Sequence, residues 1–166
     1  MDSDFAGLWG CEDDQDPIST RSRTGFIVTL GGVPVTWVSK LQTETSLSTM
    51  EAEYVALSTA MRTLLPLRRK IAAMCKALKL TVDKKSLLST VWEDNQAAEN
   101  LANADPPRLT PRSKHLAIKY HWFRSKLKKG QIEVKHIPSE ENLADILTKP
   151  LSREVFEHLR KKIMGW

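Results

Sequence analysis

The sequence is poor in cysteine and has no long apolar run, and both absences exclude classes of protein. Only two of its 166 residues are cysteines, Cys11 and Cys75, which is too few for a disulfide framework or a zinc-ligand pattern. No stretch approaches the roughly 20 apolar residues that a membrane-spanning helix needs. The opening MDSDFAGLWG lacks the basic and apolar regions of a signal peptide. We therefore expect an intracellular protein in a reducing compartment, without membrane attachment.

Acidic residues are absent from the segment between Pro106 and Gly130. The chain carries a formal net charge of +5, and this segment concentrates the positive charge. Its basic residues are Arg108, Arg112, Lys114, Lys119, Arg124, Lys126, Lys128 and Lys129. A basic block without acids is typical of a surface that contacts a phosphate backbone, and a solvated helix face is the alternative interpretation.

The hydrophobic pattern predicts a mixed α/β domain. The β-rich segments GFIVTL and VPVTWVSK flank Gly31-Gly32 and predict a hairpin, whereas the polar residues 2–23 are predicted to form a loop. Ser48-Thr49-Met50-Glu51 fits a capping box and predicts the start of a helix, which Pro66 should kink or divide. Further predicted elements are strands at SLLSTVW and IEVKHI, and helices at QAAENLANA, in the basic block, at SEENLADILTK and at REVFEHLRKKI.

Glu53 occupies a position where an acid is unexpected. With 3.6 residues per turn it shares a helix face with Ala56, Leu57, Ala60 and Leu64. Burying an unpaired carboxylate is unfavourable, so a metal ion at this end of the apolar stripe would explain the residue. The alternative is a side chain at the rim of the core that reaches water.

Three other acids are candidates with weaker individual signals. Asp94 follows a predicted strand and precedes a predicted helix, and the carboxyl ends of strands are where α/β proteins bind ligands. The alternative is that Asp94 or Asn95 caps the helix. Asp145, taken alone, is typical of a solvated acid, and Asp2 by itself carries little information.

Six segments follow one another in the order found in a known family. They are DSDFAG, STRSRTGFIVTLGGVPVTWVSKLQ, LSTMEAEYVALSTA, EDNQAAENLA, PRSKHLAIKYHWFR and ENLADILTKPL, and they cover nearly the whole chain. The chain thereby resembles the ribonuclease H (RNase H) domains of copia-type LTR retrotransposon Pol polyproteins. The resemblance implies an RNase H-like α/β fold for residues 1–150, in which helices flank a five-stranded mixed sheet. Residues 151–166 would form a C-terminal helical extension.

In this family the first strand begins several residues before its first acid. Only Met1 precedes Asp2 here, so we expect a first strand that is truncated at its N-terminus. The resemblance implies a quartet of metal-binding catalytic acids at Asp2, Glu53, Asp94 and Asp145. It implies two Mg²⁺ ions, with Mn²⁺ as a substitute, and assigns His136 to product release.

The resemblance implies endonucleolytic hydrolysis of the RNA strand of RNA–DNA hybrids during reverse transcription. Nucleic-acid contacts are predicted at Arg112, Lys114, Lys119, Arg124, Lys126, Lys128, Asn95 and Gln96. The adjoining reverse transcriptase domain of a parent polyprotein is the expected protein partner. A cytoplasmic retroelement particle, or the nucleus, is the expected location.

Other functions are also compatible with the sequence. The shortened first strand makes a truncated or domesticated remnant, which binds hybrid or duplex without cutting, the main alternative. A structural role beside the reverse transcriptase and a transposase or integrase on the same fold are weaker alternatives.

Overall fold

The computed structural model describes residues 1–8, 10, 16–83, 87–104 and 121–166 as a mixed α/β protein. Its strands are β1 (Asp2–Asp4), β2 (Arg23–Leu30), β3 (Val33–Leu41), β4 (Ser89–Glu93) and β5 (Ile132–His136). Its α-helices are α1 (Thr49–Ala77), α2 (Gln96–Asn103), α3 (Arg124–Lys128) and α4 (Arg153–Met164). Single 3₁₀ turns occupy His121–Phe123, Ser139–Glu141 and Leu143–Leu147.

The first three strands form an antiparallel sheet in the order β1-β2-β3. The predicted hairpin is confirmed, because β2 and β3 pair across Gly31 and Gly32, whose φ angles are 60° and 84°. Two successive positive φ angles are what a type I′ hairpin turn requires. The loop predicted for residues 2–23 is wrong at its start, where Asp2–Asp4 pair with Arg23–Gly25 of β2. Polar residues have weak strand propensity, and here tertiary pairing overrides it.

The last two strands, β4 and β5, form a separate parallel pair. The five described strands therefore make two sheets, and the single five-stranded sheet implied by the resemblance is not what the structure shows. Strand β1, which ends the antiparallel sheet on this side, pairs with only three residues of β2. Beyond it, an apolar cleft separates residues 26–30 of β2 from residues 87–92 of β4. Met1 and Trp92 both line this cleft, and the amino group of Met1 donates a hydrogen bond to Trp92 O at 2.9 Å.

Helix α1 begins where the sequence predicts. The Ser48 hydroxyl accepts a hydrogen bond from Glu51 N at 3.2 Å, and the Glu51 carboxylate reaches back to Leu47 N at 2.9 Å. The first contact satisfies a backbone donor that the helix itself leaves without a partner, and the second satisfies the N–H of the residue before the cap. The helix continues through Pro66 to Ala77 for 29 residues. Of the two alternatives predicted at Pro66, a kink or a second helix, the second helix is therefore not formed.

The buried face of α1 supplies half of the buried residues in the hydrophobic core cluster. Its central residues Tyr54, Leu57 and Met61 are fully buried, and they join Phe26 of β2 and Phe123 in one cluster. Neither α1 nor any other described helix is both long and apolar enough to cross a membrane.

The last predicted elements are present with some differences in form. The segment SEENLADILTK contains two 3₁₀ turns, Ser139–Glu141 and Leu143–Leu147, where one short helix was predicted. The predicted C-terminal helix is confirmed as α4, which buries Leu159 and contacts Leu143–Leu147. The division of the chain at residue 150 stays a prediction.

Candidate metal centre

Three carboxylates from distant parts of the sequence meet at one end of α1. Asp2 lies at the start of β1, Glu53 in the second turn of α1 and Asp94 directly after β4. One oxygen of each side chain lies within 4.8 Å of the others. Three of the four acids implied by the resemblance are thus brought together.

Glu53 is buried, as its place on the apolar helix face predicts. Its side chain is 6% exposed, and its Oε2 has no hydrogen-bond partner among the described residues. Burial raises the pKa of the Glu53 carboxyl far above its usual range, and the negative charges of Glu93, Asp2 and Asp94 raise it further. An unpartnered buried carboxyl oxygen beside other acids is the environment that a bound cation would relieve.

Glu93 is a fourth acid at this site that sequence reasoning missed. It ends β4 with its side chain fully buried, and its Oε1 accepts a hydrogen bond from Asn95 N at 3.0 Å. Its Oε2 has no hydrogen-bond partner among the described residues. Burial raises the pKa of Glu93 to about 8, although the positive charge of the N-terminal amino group acts to lower it. The sequence pattern that could have predicted its burial is the alternation of side chains along a strand, which places Glu93 on the same side of β4 as the core residue Val91.

Asp145 stands beside the cluster and is linked to it by a lysine. The Lys149 ammonium lies 2.9 Å from Asp2 Oδ1 and 3.2 Å from Asp145 Oδ2. Asp145 is 7% exposed, and its Oδ1 has no hydrogen-bond partner among the described residues. Burial raises the pKa of Asp145 to about 6, and Asp2 adds to the rise while Lys149 opposes it. On the other side of Asp2, the Thr148 hydroxyl donates a hydrogen bond to Oδ2.

Three further predicted residues lie near this end of the sheet. His136 is the last residue of β5, paired in register with Glu93, and its side chain is exposed. Asn95 caps α2, since its Oδ1 accepts hydrogen bonds from Ala97 N and Ala98 N at 3.0 Å each. Gln96 is exposed in the first turn of α2. Their predicted contributions to catalysis and nucleic-acid contact stay predictions.

The basic surface is described only in part. Arg112, Lys114 and Lys119 lie outside the described residues, and Lys128 is described by its backbone alone. Lys126 is half-buried on α3. Arg124 is 8% exposed, and this burial argues against the direct phosphate contact predicted for it.

The donor set at the centre suits a hard divalent cation. Mg²⁺ prefers oxygen ligands and is usually held by one or two carboxylates together with water and substrate phosphates. Asp2, Glu53 and Asp94 offer carboxylate oxygens only, and Glu53 Oε2 is already buried and without a hydrogen-bond partner among the described residues. The arrangement therefore fits a metal ion at the triad.

Fold and site together define a mixed α/β protein with a candidate divalent-metal centre. The chain is 35% identical over 163 residues to each of two Arabidopsis thaliana proteins, the retrovirus-related Pol polyproteins from transposons RE2 and RE1. It is 33% identical over 164 residues to the retrovirus-related Pol polyprotein from transposon TNT 1-94 of Nicotiana tabacum. No family model and no solved structure matches the chain.

The alignments cover 98 to 99% of this chain but only 10 to 11% of each relative. The chain therefore spans about a tenth of the length of the curated relatives it matches. The predicted resemblance to copia-type Pol polyproteins is confirmed, and the chain corresponds to one segment of such a retroelement polyprotein.

Proposed function

We propose that this chain is a metal-dependent endonuclease on an RNase H-like fold, which hydrolyses the RNA strand of RNA–DNA hybrids. The observation that carries the proposal is the convergence of Asp2, Glu53 and Asp94, with Asp145 joined to Asp2 through Lys149. Like charges repel, so acids gathered from four chain segments need a cation to remain together in ionised form. The similarity to Pol polyproteins of retrotransposons supports a role in the copying of an RNA genome.

Under this proposal the acids hold divalent ions, and other residues orient the acids. Asp2, Glu53 and Asp94 would hold one ion, and Asp145 would share a second with Asp2. Bound Mg²⁺, or Mn²⁺, would activate a water molecule for attack on the phosphodiester and stabilise the charge on the departing 3′ oxygen. The Thr148 hydroxyl fixes the Asp2 carboxylate by its hydrogen bond. Asn95 fixes the start of α2 and so the backbone on which Asp94 is presented.

The surroundings of the centre are suited to a phosphodiester backbone. Asp94 opens into a surface cleft that is also lined by the polar or charged residues Arg23, Thr49, Asn95 and Lys149. A contact to the 2′-hydroxyl of the RNA strand would distinguish it from DNA. Lys126, together with the predicted contacts at Arg112, Lys114 and Lys119, would hold the hybrid outside the cleft. The adjoining reverse transcriptase domain of a polyprotein is the proposed partner.

The test is a cleavage assay on a hybrid labelled on each strand, with Mg²⁺ or with EDTA. We expect cutting of the RNA strand only, loss of cutting in EDTA, and loss of cutting in Asp94→Asn. Asp83→Asn is the matched control, because Asp83 is exposed and outside the cluster. Cleavage that survives EDTA or Asp94→Asn would contradict the proposal. A folded protein that binds hybrid without cutting either strand would instead favour the binding-module alternative.

A further inference from the structure

Lys149 joins two of the candidate metal ligands through a single ammonium group. Asp2 and Asp145 are 143 positions apart in the sequence, yet both accept from Lys149 Nζ, at 2.9 and 3.2 Å. The lysine is held close to Asp145 by its own backbone, since Lys149 N donates to Asp145 O at 3.0 Å. The turn therefore places the backbone of Lys149 next to Asp145, and the two carboxylates hold the ammonium.

This pairing differs from an ordinary surface ion pair. Exposed ion pairs contribute little to stability because water screens them. Here Asp2 is fully buried and Asp145 nearly so, while the Lys149 side chain is only 35% exposed. The ammonium, at the edge of the surface cleft, therefore balances the charge of two carboxylates that are themselves buried.

The same place is where a second divalent ion would have to bind. Asp2 already belongs to the triad with Glu53 and Asp94, so an ion next to Asp145 must share the Asp2 carboxylate. Asp145 Oδ1 is buried and without a hydrogen-bond partner among the described residues, which leaves one further ligand oxygen on that side. An ammonium and a divalent cation repel each other at such distances. Both cannot lie between Asp2 and Asp145 at once.

We propose that Lys149 is a built-in cation that occupies the Asp2–Asp145 half of the centre and must be displaced before a second divalent ion binds. The inference rests on the proposed function for the ions themselves. In the absence of nucleic acid the chain then binds one divalent ion at the triad. Lys149 thereby sets the divalent-ion concentration at which the second ion binds.

The test counts Mn²⁺ ions bound to the folded, nucleic-acid-free chain by electron paramagnetic resonance of the free ion. We expect one tightly bound Mn²⁺ in the wild type. Lys149→Met keeps the apolar stem and removes the charge, and we expect it to bind a second Mn²⁺ about tenfold or more tightly than the wild type does. Lys149→Arg should behave like the wild type. Lys135→Met is the control, because Lys135 pairs with Glu133 at an exposed position outside the centre.

Two further variants keep the proposal testable. Asp145→Asn, made together with Lys149→Met, should abolish the gain and return the count to one ion. Lys149→Gln replaces Lys149→Met if circular dichroism shows that the methionine variant does not fold. A folded Lys149→Met or Lys149→Gln protein that binds the same number of Mn²⁺ ions with the same affinity as the wild type would overturn the proposal. A second Mn²⁺ ion gained in Lys149→Arg would also overturn it.

The outcomes separate this inference from the proposed function. A wild-type protein that cuts hybrid, with Lys149 variants that bind Mn²⁺ no better, would defeat the inference alone. A protein that binds no Mn²⁺ at all would defeat both. A second ion gained in Lys149→Met, by a protein that cuts no nucleic acid, would support the inference and defeat the proposed hydrolase.

Discussion

Gly25 lies directly opposite Asp2 in the antiparallel pairing of β1 with β2. A β-carbon at Gly25 would lie 2.6 Å from Thr148 Cγ2 and 3.1 Å from Ala144 O. The missing side chain thus allows the segment that carries Asp145, Thr148 and Lys149 to lie against β2. Glycine inside a strand often marks such a close approach of another part of the backbone.

We therefore predict that Gly25→Ala destabilises the protein, because the added methyl group pushes Thr148 and its neighbours away from β2. The expected loss in the free energy of unfolding is about 1–3 kcal/mol, as for overpacked sites generally. Urea unfolding followed by circular dichroism measures it. Thr29→Ala, at an exposed position of the same strand, is the control. A Gly25→Ala protein with the wild-type unfolding midpoint would show that this close approach is unimportant.

Replacing Glu53 should separate folding from metal binding. Burial and neighbouring acids raise the pKa of Glu53 far above neutrality, so its carboxyl group is protonated at pH 7 in the metal-free protein. The amide of Glu53→Gln is close in shape to this protonated carboxyl group. We expect metal-free stability within about 1 kcal/mol of the wild type. The variant should lose the stabilisation by Mg²⁺, which reaches about 2.7 kcal/mol at a hundred times the dissociation constant.

Thermal unfolding with EDTA and with Mg²⁺ tests this expectation, and Glu99→Gln on α2 is the control. If Mg²⁺ raised the melting temperature of Glu53→Gln as much as that of the wild type, Glu53 would not be a metal ligand.

The raised pKa values of the buried acids predict how stability depends on pH. Burial raises the pKa of Asp145 to about 6 and that of Glu93 to about 8, and Glu53 is raised in the same direction. Protonation of these acids therefore contributes its full stabilisation of the folded state at pH values below about 4, the pKa of such acids in the unfolded chain. This stabilisation is lost as the pH rises through their pKa values in the folded protein. Each extra proton on the folded state lowers stability by about 1.4 kcal/mol per pH unit.

In EDTA the urea midpoint should therefore fall between pH 5 and pH 8. Saturating Mg²⁺ should oppose this fall, since a metal ion binds the deprotonated carboxylates. A midpoint that rises with pH in EDTA would contradict the assigned direction of these pKa shifts.

Hybrid binding should weaken steeply with salt, because lysine and arginine contacts to phosphates release counterions. We predict that Lys126→Gln weakens binding of all hybrid sequences alike and reduces the slope of log affinity against log salt by about one. Fluorescence anisotropy at several salt concentrations measures both effects. Lys161→Gln on α4 is the control, an exposed lysine outside the basic block. A salt slope near zero for the wild type would refute the predicted basic surface.

Features that depend on a few neighbouring residues were determined by the sequence itself. The turn at Gly31-Gly32 and the helix start at Ser48 follow from backbone preferences and hydrogen bonds within one turn of chain. The burial of Glu53 follows from helical periodicity, since its apolar neighbours along the helix face fix the side that packs into the core.

Features that depend on contacts between distant residues were decided only by the tertiary structure. The strand at Asp2–Asp4 exists because β2 pairs with it, although its own residues favour a loop. Glu93 is buried where the parallel strands end, beside the start of β1. Lys149 reaches Asp2 across 147 positions because Gly25 leaves room for its segment. Periodicity and turn chemistry act over a few residues, so they carry no information about which distant charges will meet.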